Sequence, residues 1–224
     1  MFNPNPGHFQ NQGRLLCGVG RAATIGKEIS TRGHKKILIV SEDVLLKLGT
    51  LDTIFDSLQK ANVNYVVFDK IVADPSAHLI DSIGEIGIAE KVDGILGVGG
   101  GSSLDSAKAA AILVANPGHG ILDYKGDYTG YNRYENNPID CYAIPTTAGT
   151  GSESSWNIAI NDTDNKLKVR AQSPYYVPQL SILDAKMMTT IPAAVAAGCG
   201  IDTAVSKFRR LPLAGKFFAA WAVV

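Results

Sequence analysis

Apolar residues in the first hundred positions fall into two kinds of run. Short, nearly unbroken runs, Arg14 to Val19 (RLLCGV), Lys36 to Val40 (KILIV), Asn64 to Phe68 (NYVVF) and Ile95 to Val98 (ILGV), read as buried strands. Between them apolar residues recur three and four apart, the period of one helix face. Ala22, Ile25 and Ile29 mark such a face in Arg21 to Thr31, and Ile54, Phe55 and Leu58 mark one in Leu51 to Ala61. Leu79 to Glu90 is a third helix and Val44 to Leu48 a shorter one, and Gly33 closes the first. Strand and helix alternate, which predicts an α/β fold: a doubly wound, mostly parallel sheet with helices on both faces.

The second half is more broken. Asn116-Pro117-Gly118 stops a helix, and Asp123 to Pro138, rich in Tyr, Gly, Asp and Asn, reads as surface loop. Ile139 to Ile144 is a strand. Trp156 to Ile160 and Lys166 to Ala171 form a hairpin around Asn161-Asp162-Thr163-Asp164-Asn165, and Leu180 to Leu183 is a last short strand. After Ile191-Pro192 the chain turns Ala-rich and helical from Ala193, which places a boundary between residues 1–190 and residues 191–224. Residues 1–12 read as a loose arm.

Composition narrows the class. The 224 residues are 46% hydrophobic and 19% charged with no net charge, which suits a folded globular protein and offers nucleic acid no basic patch. The chain shows no secretory signal at its start and no run of about 18 apolar residues that would span a membrane. Cys17, Cys141 and Cys199 are scattered without a C-x-x-C pair, so reduced, mostly buried thiols of a cytoplasmic protein are expected. His8, His34, His78 and His119 stand apart from one another and read as surface or structural residues.

The chemistry concentrates in Asp93 to Ala111, DGILGVGGGSSLDSAKAAA. A strand runs into Gly99, Gly100 and Gly101, and Ser102 with Asp105 three residues later has the spacing of a capped helix start. Glycines let the backbone approach a phosphate, and the free N–H groups of a helix N-terminus point at it, so this junction predicts a pyrophosphate site. Gly18-Val19-Gly20, with Ala23, is an independent dinucleotide candidate, although any strand-to-helix turn uses such glycines. Glu42 and Asp43 follow the KILIV strand, where an acid can accept from a ribose 2′-hydroxyl and repel a 2′-phosphate; a solvated helix start is the other reading. Thr146, Thr147, Thr150 and Ser152 crowd hydroxyls into one loop that can present donors to a cofactor or serve as a plain Ser/Thr-rich turn.

GGGSSLDSAK at Gly99–Lys108, IPTTAGTGSE at Ile144–Glu153 and GID at Gly200–Asp202 give the chain a close resemblance to the iron-containing alcohol dehydrogenases, over roughly residues 13 to 205. The resemblance implies an N-terminal nucleotide-binding α/β domain, a C-terminal all-helical domain, and an iron or zinc ion in the cleft. It implies that Gly99, Gly100, Gly101, Ser102 and Asp105 hold the pyrophosphate region of NAD(P) and that Thr146, Thr147 and Ser152 line the cofactor. Leu183 would lie near the nicotinamide, and Glu42, where many members carry Asp, favours NAD over NADP. The substrate class it implies is a small alcohol or its aldehyde.

The family's metal is held by one Asp and three His. Asp202 matches the Asp of its G-[IV]-D-x-x-x-H motif, but Ser206 stands where the first His belongs, and no histidine follows His119. From Ser206 onward the resemblance stops, so a frame change or aberrant truncation is expected there, leaving only the start of an incomplete helical domain in 191–224. The resulting expectation is an NAD-dependent, metal-type alcohol dehydrogenase fold that keeps its cofactor and lacks turnover. The alternative is a non-catalytic nucleotide-binding module acting through an interaction surface. Homo-oligomerisation is left open.

Overall fold

The computed structural model describes residues 13–125 and 135–209, residues 202–209 by backbone alone. The arm at residues 1–12, part of the Asp123 to Pro138 loop, and the terminal run after Arg209 lie outside the described residues.

Six parallel strands make the main sheet: β1 (Arg14–Cys17), β2 (Lys36–Val40), β3 (Asn64–Phe68), β4 (Gly94–Gly99), β5 (Asp140–Pro145) and, numbered after the hairpin, β8 (Leu180–Leu183). Their spatial order is β1-β8-β5-β4-β2-β3. The hairpin of β6 (Asn157–Asp162) and β7 (Leu167–Gln172) is antiparallel and separate. Helices α1 (Ile25–Thr31), α2 (Asp43–Lys47), α3 (Asp52–Lys60), α4 (Ala77–Ala89) and α5 (Gly101–Ala115) connect the strands. A final helix, α6 (Ala193–Arg209), begins where the composition changes.

The two central strands, β4 and β5, read as near-continuous apolar runs because both of their faces are covered, as parallel sheets require. Every residue of β4 is buried. One face packs on α1 and α3 through Ile25, Ile29, Ile54 and Leu58. The other packs on α4 and α5 through Ile83, Ala107, Ala110 and Ala111. α5 comes unusually close to β4 because Gly97 has no side chain: a Cβ there would lie 2.9 Å from the Ala107 methyl. The Ala-rich sequence of α5 answers the same need. Truncating any fully buried Ile or Leu of this core to Ala should cost about 2–5 kcal/mol.

The expected elements are present with bounds shifted by one or two residues, and β2, β3 and β8 match their sequence runs residue for residue. Two expectations need correction. The first helix opens as a 3-10 turn, Arg21–Thr24, before becoming α-helical at Ile25, because Asp184 draws the turn's amides outward. Of the three thiols, only Cys141 is buried; Cys17 is exposed at the end of an edge strand. No helix among the described residues is long and apolar enough to cross a membrane.

Candidate cofactor site

The strand order creates a switch point. From β2 the chain moves outward to β3, and from β4 it moves the other way, to β5. The connections leaving the carboxyl ends of β2 and β4 therefore diverge, and the crevice between them is where open α/β sheets bind ligands. Glu42 lies two residues past the end of β2, and Gly99, Gly100 and Gly101 join β4 to α5.

Gly99 carries the turn. Its φ of +148° disfavours side chains, and a Cβ would lie 2.5 Å from Ser103 Oγ and 3.0 Å from Glu42 Oε1. The Gly99 carbonyl accepts from the Thr146 amide at 2.9 Å, which ties the end of β5 to the loop. Gly100, extended at φ −76°, occupies the cap position of α5 without capping it. This corrects the reading of Ser102 and Asp105 as a capping pair: the helix starts earlier, Ser102 is in its first turn, and Asp105 is a turn further in. The first helical bond runs from Leu104 N–H to the Gly100 carbonyl at 3.1 Å. The N–H groups of Gly101, Ser102 and Ser103 precede it and have no acceptor among the described residues. Such amides at the end of a 15-residue helix attract an anion.

The hydroxyl loop closes over the same edge. Thr146 is buried, and Thr147 Oγ1 is a buried oxygen without a partner among the described residues. A Cβ built on Gly100 would lie 3.6–3.7 Å from the Thr147 side chain, so the bare glycine leaves a notch beside that oxygen. Thr150 and Ser152 pack over Gly101. Leu183 ends β8, one strand beyond β5. Glu42, the glycines, Thr146 and Leu183 thus mark successive strands along one carboxyl edge, which spans about 14 Å at ordinary strand spacing.

Asp105 has a different position. Its Oδ1 accepts from Lys108 Nζ at 3.0 Å within α5, and its Oδ2 accepts from the Ala159 amide at 3.0 Å, which binds α5 to the hairpin. Lys108, which the sequence reading passed over, organises the hydroxyl loop from within. Its side chain is almost wholly buried, and Nζ also reaches the carbonyls of Ser152 (3.1 Å), Ser155 (3.2 Å) and Asn157 (2.6 Å). The signal was one cation inside the apolar run from Ala107 to Ala115, since a buried lysine must be paired. Glu153 is held above the ordinary carboxyl range by burial, partly offset by Lys108. The Cys141 thiol is pushed up to about 12 by burial, which removes it as a nucleophile.

The other glycine turn is filled by the protein itself. The Asp184 carboxylate accepts from the amides of Gly20 and Ala22, each at 2.9 Å, and the Gly18 amide donates to the Leu183 carbonyl at 3.0 Å. No anion is needed there, which decides against the second dinucleotide candidate.

Residues 12–185 match the family model of the iron-containing alcohol dehydrogenases. The chain belongs to that family. It is 34% identical to the choline dehydrogenase of Bacillus subtilis over 83% of this chain and 46% of that protein. It is 32% identical to the NAD-dependent methanol dehydrogenase of Bacillus methanolicus, over 84% of this chain and 48% of that one. The NADH-dependent butanol dehydrogenase A of Thermotoga maritima superposes with a TM-score of 0.80 at 29% identity, covering 88% of this chain and 48% of that structure. The chain spans about half the length of these relatives.

The residues present fit a dinucleotide: three open amides, a side-chain-free notch and an orphaned hydroxyl face one edge. No group of three or more His, Cys, Asp or Glu among the described residues could hold an ion. Asp202 lies on α6, its side chain outside the described residues. Of the histidines, His34 pairs with Asp140 and Asp93, His78 with Asp164, and His119 with Asp123, while His8 lies outside the described residues.

Proposed function

We propose that this chain is the NAD-binding half of an NAD-dependent alcohol dehydrogenase acting on a small alcohol or aldehyde, and that these 224 residues alone bind NAD without turning over. The observation that carries the reading is the set of uncapped amides at Gly101, Ser102 and Ser103, lying at the switch point of the sheet. Relatives named for NAD or NADH support it.

In this reading the three amides hold the diphosphate, Gly100 gives it room, and Thr147 donates its unused hydroxyl. Thr146 and Ser152 shape the wall. Glu42 accepts from an adenosine ribose hydroxyl and repels a 2′-phosphate, which selects NAD over NADP. Leu183 lies toward the nicotinamide. Bound NAD supplies the hydride acceptor for the alcohol. Asp105 acts indirectly, by holding Lys108 under the hydroxyl loop. Residues 1–190 make up the cofactor domain, and 191–224 the start of a helical one. Iron or zinc would find in Asp202 a single hard ligand, too few for a transition metal.

Two measurements on the purified chain test the two halves of the proposal. Titration followed by NADH fluorescence should give saturable binding, and no binding would overturn the cofactor reading. Assays with simple alcohols and added iron or zinc should yield no alcohol-dependent NADH. Turnover with stoichiometric metal would overturn the claim that the chain is catalytically incomplete.

A further inference from the structure

Resting on the cofactor reading above, we infer that Ser103 is a specificity-determining positioning residue: its buried hydroxyl fixes the Glu42 carboxylate for a 2′-hydroxyl and against a 2′-phosphate. Ser103 is fully buried in the first turn of α5. Its Oγ–H donates to Glu42 Oε1 at 2.7 Å, a short, charge-assisted bond. The Gly100 amide adds a longer donation to the same oxygen at 3.4 Å. Glu42 Oε2 takes no donor among the described residues.

Three features tie this geometry to cofactor choice. The main chain of Glu42 is held by a bridge to Lys70, so the remaining freedom is in its side chain. A glutamate has three such torsions, and an unheld carboxylate at a cleft mouth can swing away from an incoming phosphate. The Ser103 bond removes that escape. It also leaves the second oxygen as the acceptor for a ribose hydroxyl. Gly99 makes the bond possible, because a side chain there would fall on both Ser103 Oγ and Glu42 Oε1. Discrimination therefore depends on a contact among β2, β4 and α5, and the Ser103 hydroxyl works through Glu42, apart from the role of the Ser103 amide at the diphosphate.

The test is a double-mutant cycle read as the ratio of NADPH to NADH dissociation constants, measured by fluorescence titration. Ser103→Ala should reduce the preference for NADH about tenfold. Ser103→Cys, which keeps the side-chain connectivity with a somewhat larger atom that donates weakly, should shift it in the same direction. In a Glu42→Ala background, Ser103→Ala should leave the ratio unchanged, which a merely structural role would not produce. An unchanged ratio in Ser103→Ala overturns the inference while leaving NAD binding intact, and so does an equal shift with and without Glu42. Absence of NADH binding by the parent chain overturns the cofactor reading itself and this inference with it.

Discussion

The chain builds two strand-glycine-helix turns that look alike in sequence and differ in what completes them. At Gly18-Val19-Gly20 the turn's amides point at Asp184, which arrives from the end of β8 with a carboxylate for Gly20 and Ala22. At Gly99-Gly100-Gly101 the carboxylate that arrives is Glu42, which takes the Gly100 amide and the Ser103 hydroxyl. The amides of Gly101, Ser102 and Ser103 have no acceptor among the described residues, beside a Thr147 hydroxyl likewise without a partner among them. Glycine spacing sets where amides are bared. In one case a residue more than 160 positions away supplies the anion, and in the other Glu42 reaches the Gly100 amide and the Ser103 hydroxyl but not the three amides that follow. A turn closed by its own carboxylate contributes stability, and a turn left open forgoes it and, on the proposed function, leaves its amides to a ligand.

Mutations should separate the two turns, and the largest effect is on the frame around the open one. Lys108→Met removes the cation shared by Asp105 and three carbonyls and leaves a carboxylate buried without its partner. Denaturant unfolding should show a loss of about 3–5 kcal/mol, with NADH binding falling as the hydroxyl loop loosens. Asp184→Ala comes next. It strands the amides of Gly20, Ala22 and Lys186, for a loss of about 3 kcal/mol seen in thermal melts, while NADH affinity of the folded protein should hold. Gly100→Ala should do the reverse. Its backbone at φ −76° suits alanine and its Cβ makes only ordinary contacts, so melting should barely move. The new methyl fills the notch, and NADH affinity measured by titration should fall at least about tenfold.

The smallest effect is at the amino end of the sheet, away from both turns. The Asp140 carboxylate beside His34, with Asp93, lifts the imidazole above its ordinary 6.5 despite partial burial. A raised histidine contributes stability that is fully present below its unfolded value and lost as pH rises through the folded one. His34→Gln should therefore cost most below the ordinary imidazole value of 6.5 and progressively less as pH rises into the alkaline range, as read by denaturant unfolding across pH. Asp140, held below the usual carboxyl range by His34, loses its contribution only on strong acidification. Nucleotide affinity should be indifferent to this substitution.

Much of this architecture was legible from local pattern. KILIV, NYVVF and LSIL give β2, β3 and β8 because each is a short run rich in apolar residues with no helical period. The glycine junction and the hydroxyl loop were legible as a strand-to-helix turn and a neighbouring loop, which the structure brings side by side. What could not be read was every feature made by distant partners. The start of α5 was placed at Ser102 because Ser-x-x-Asp mimics a cap, whereas Asp105 is drawn inward by Lys108 and Ala159. The closure of Gly18–Gly20 by Asp184 and the bond from Ser103 to Glu42 depend on strand order, which periodicity leaves undetermined.

Backbone amide chemical shifts followed during titration with NADH test the central contrast most directly. The account predicts that the largest perturbations fall on Gly100, Gly101, Ser102 and Ser103, with Thr147 close behind, while Gly20 and Ala22 stay still. Perturbations centred on Gly18–Ala22, with the Gly101–Ser103 amides unmoved under saturating NADH, would contradict it.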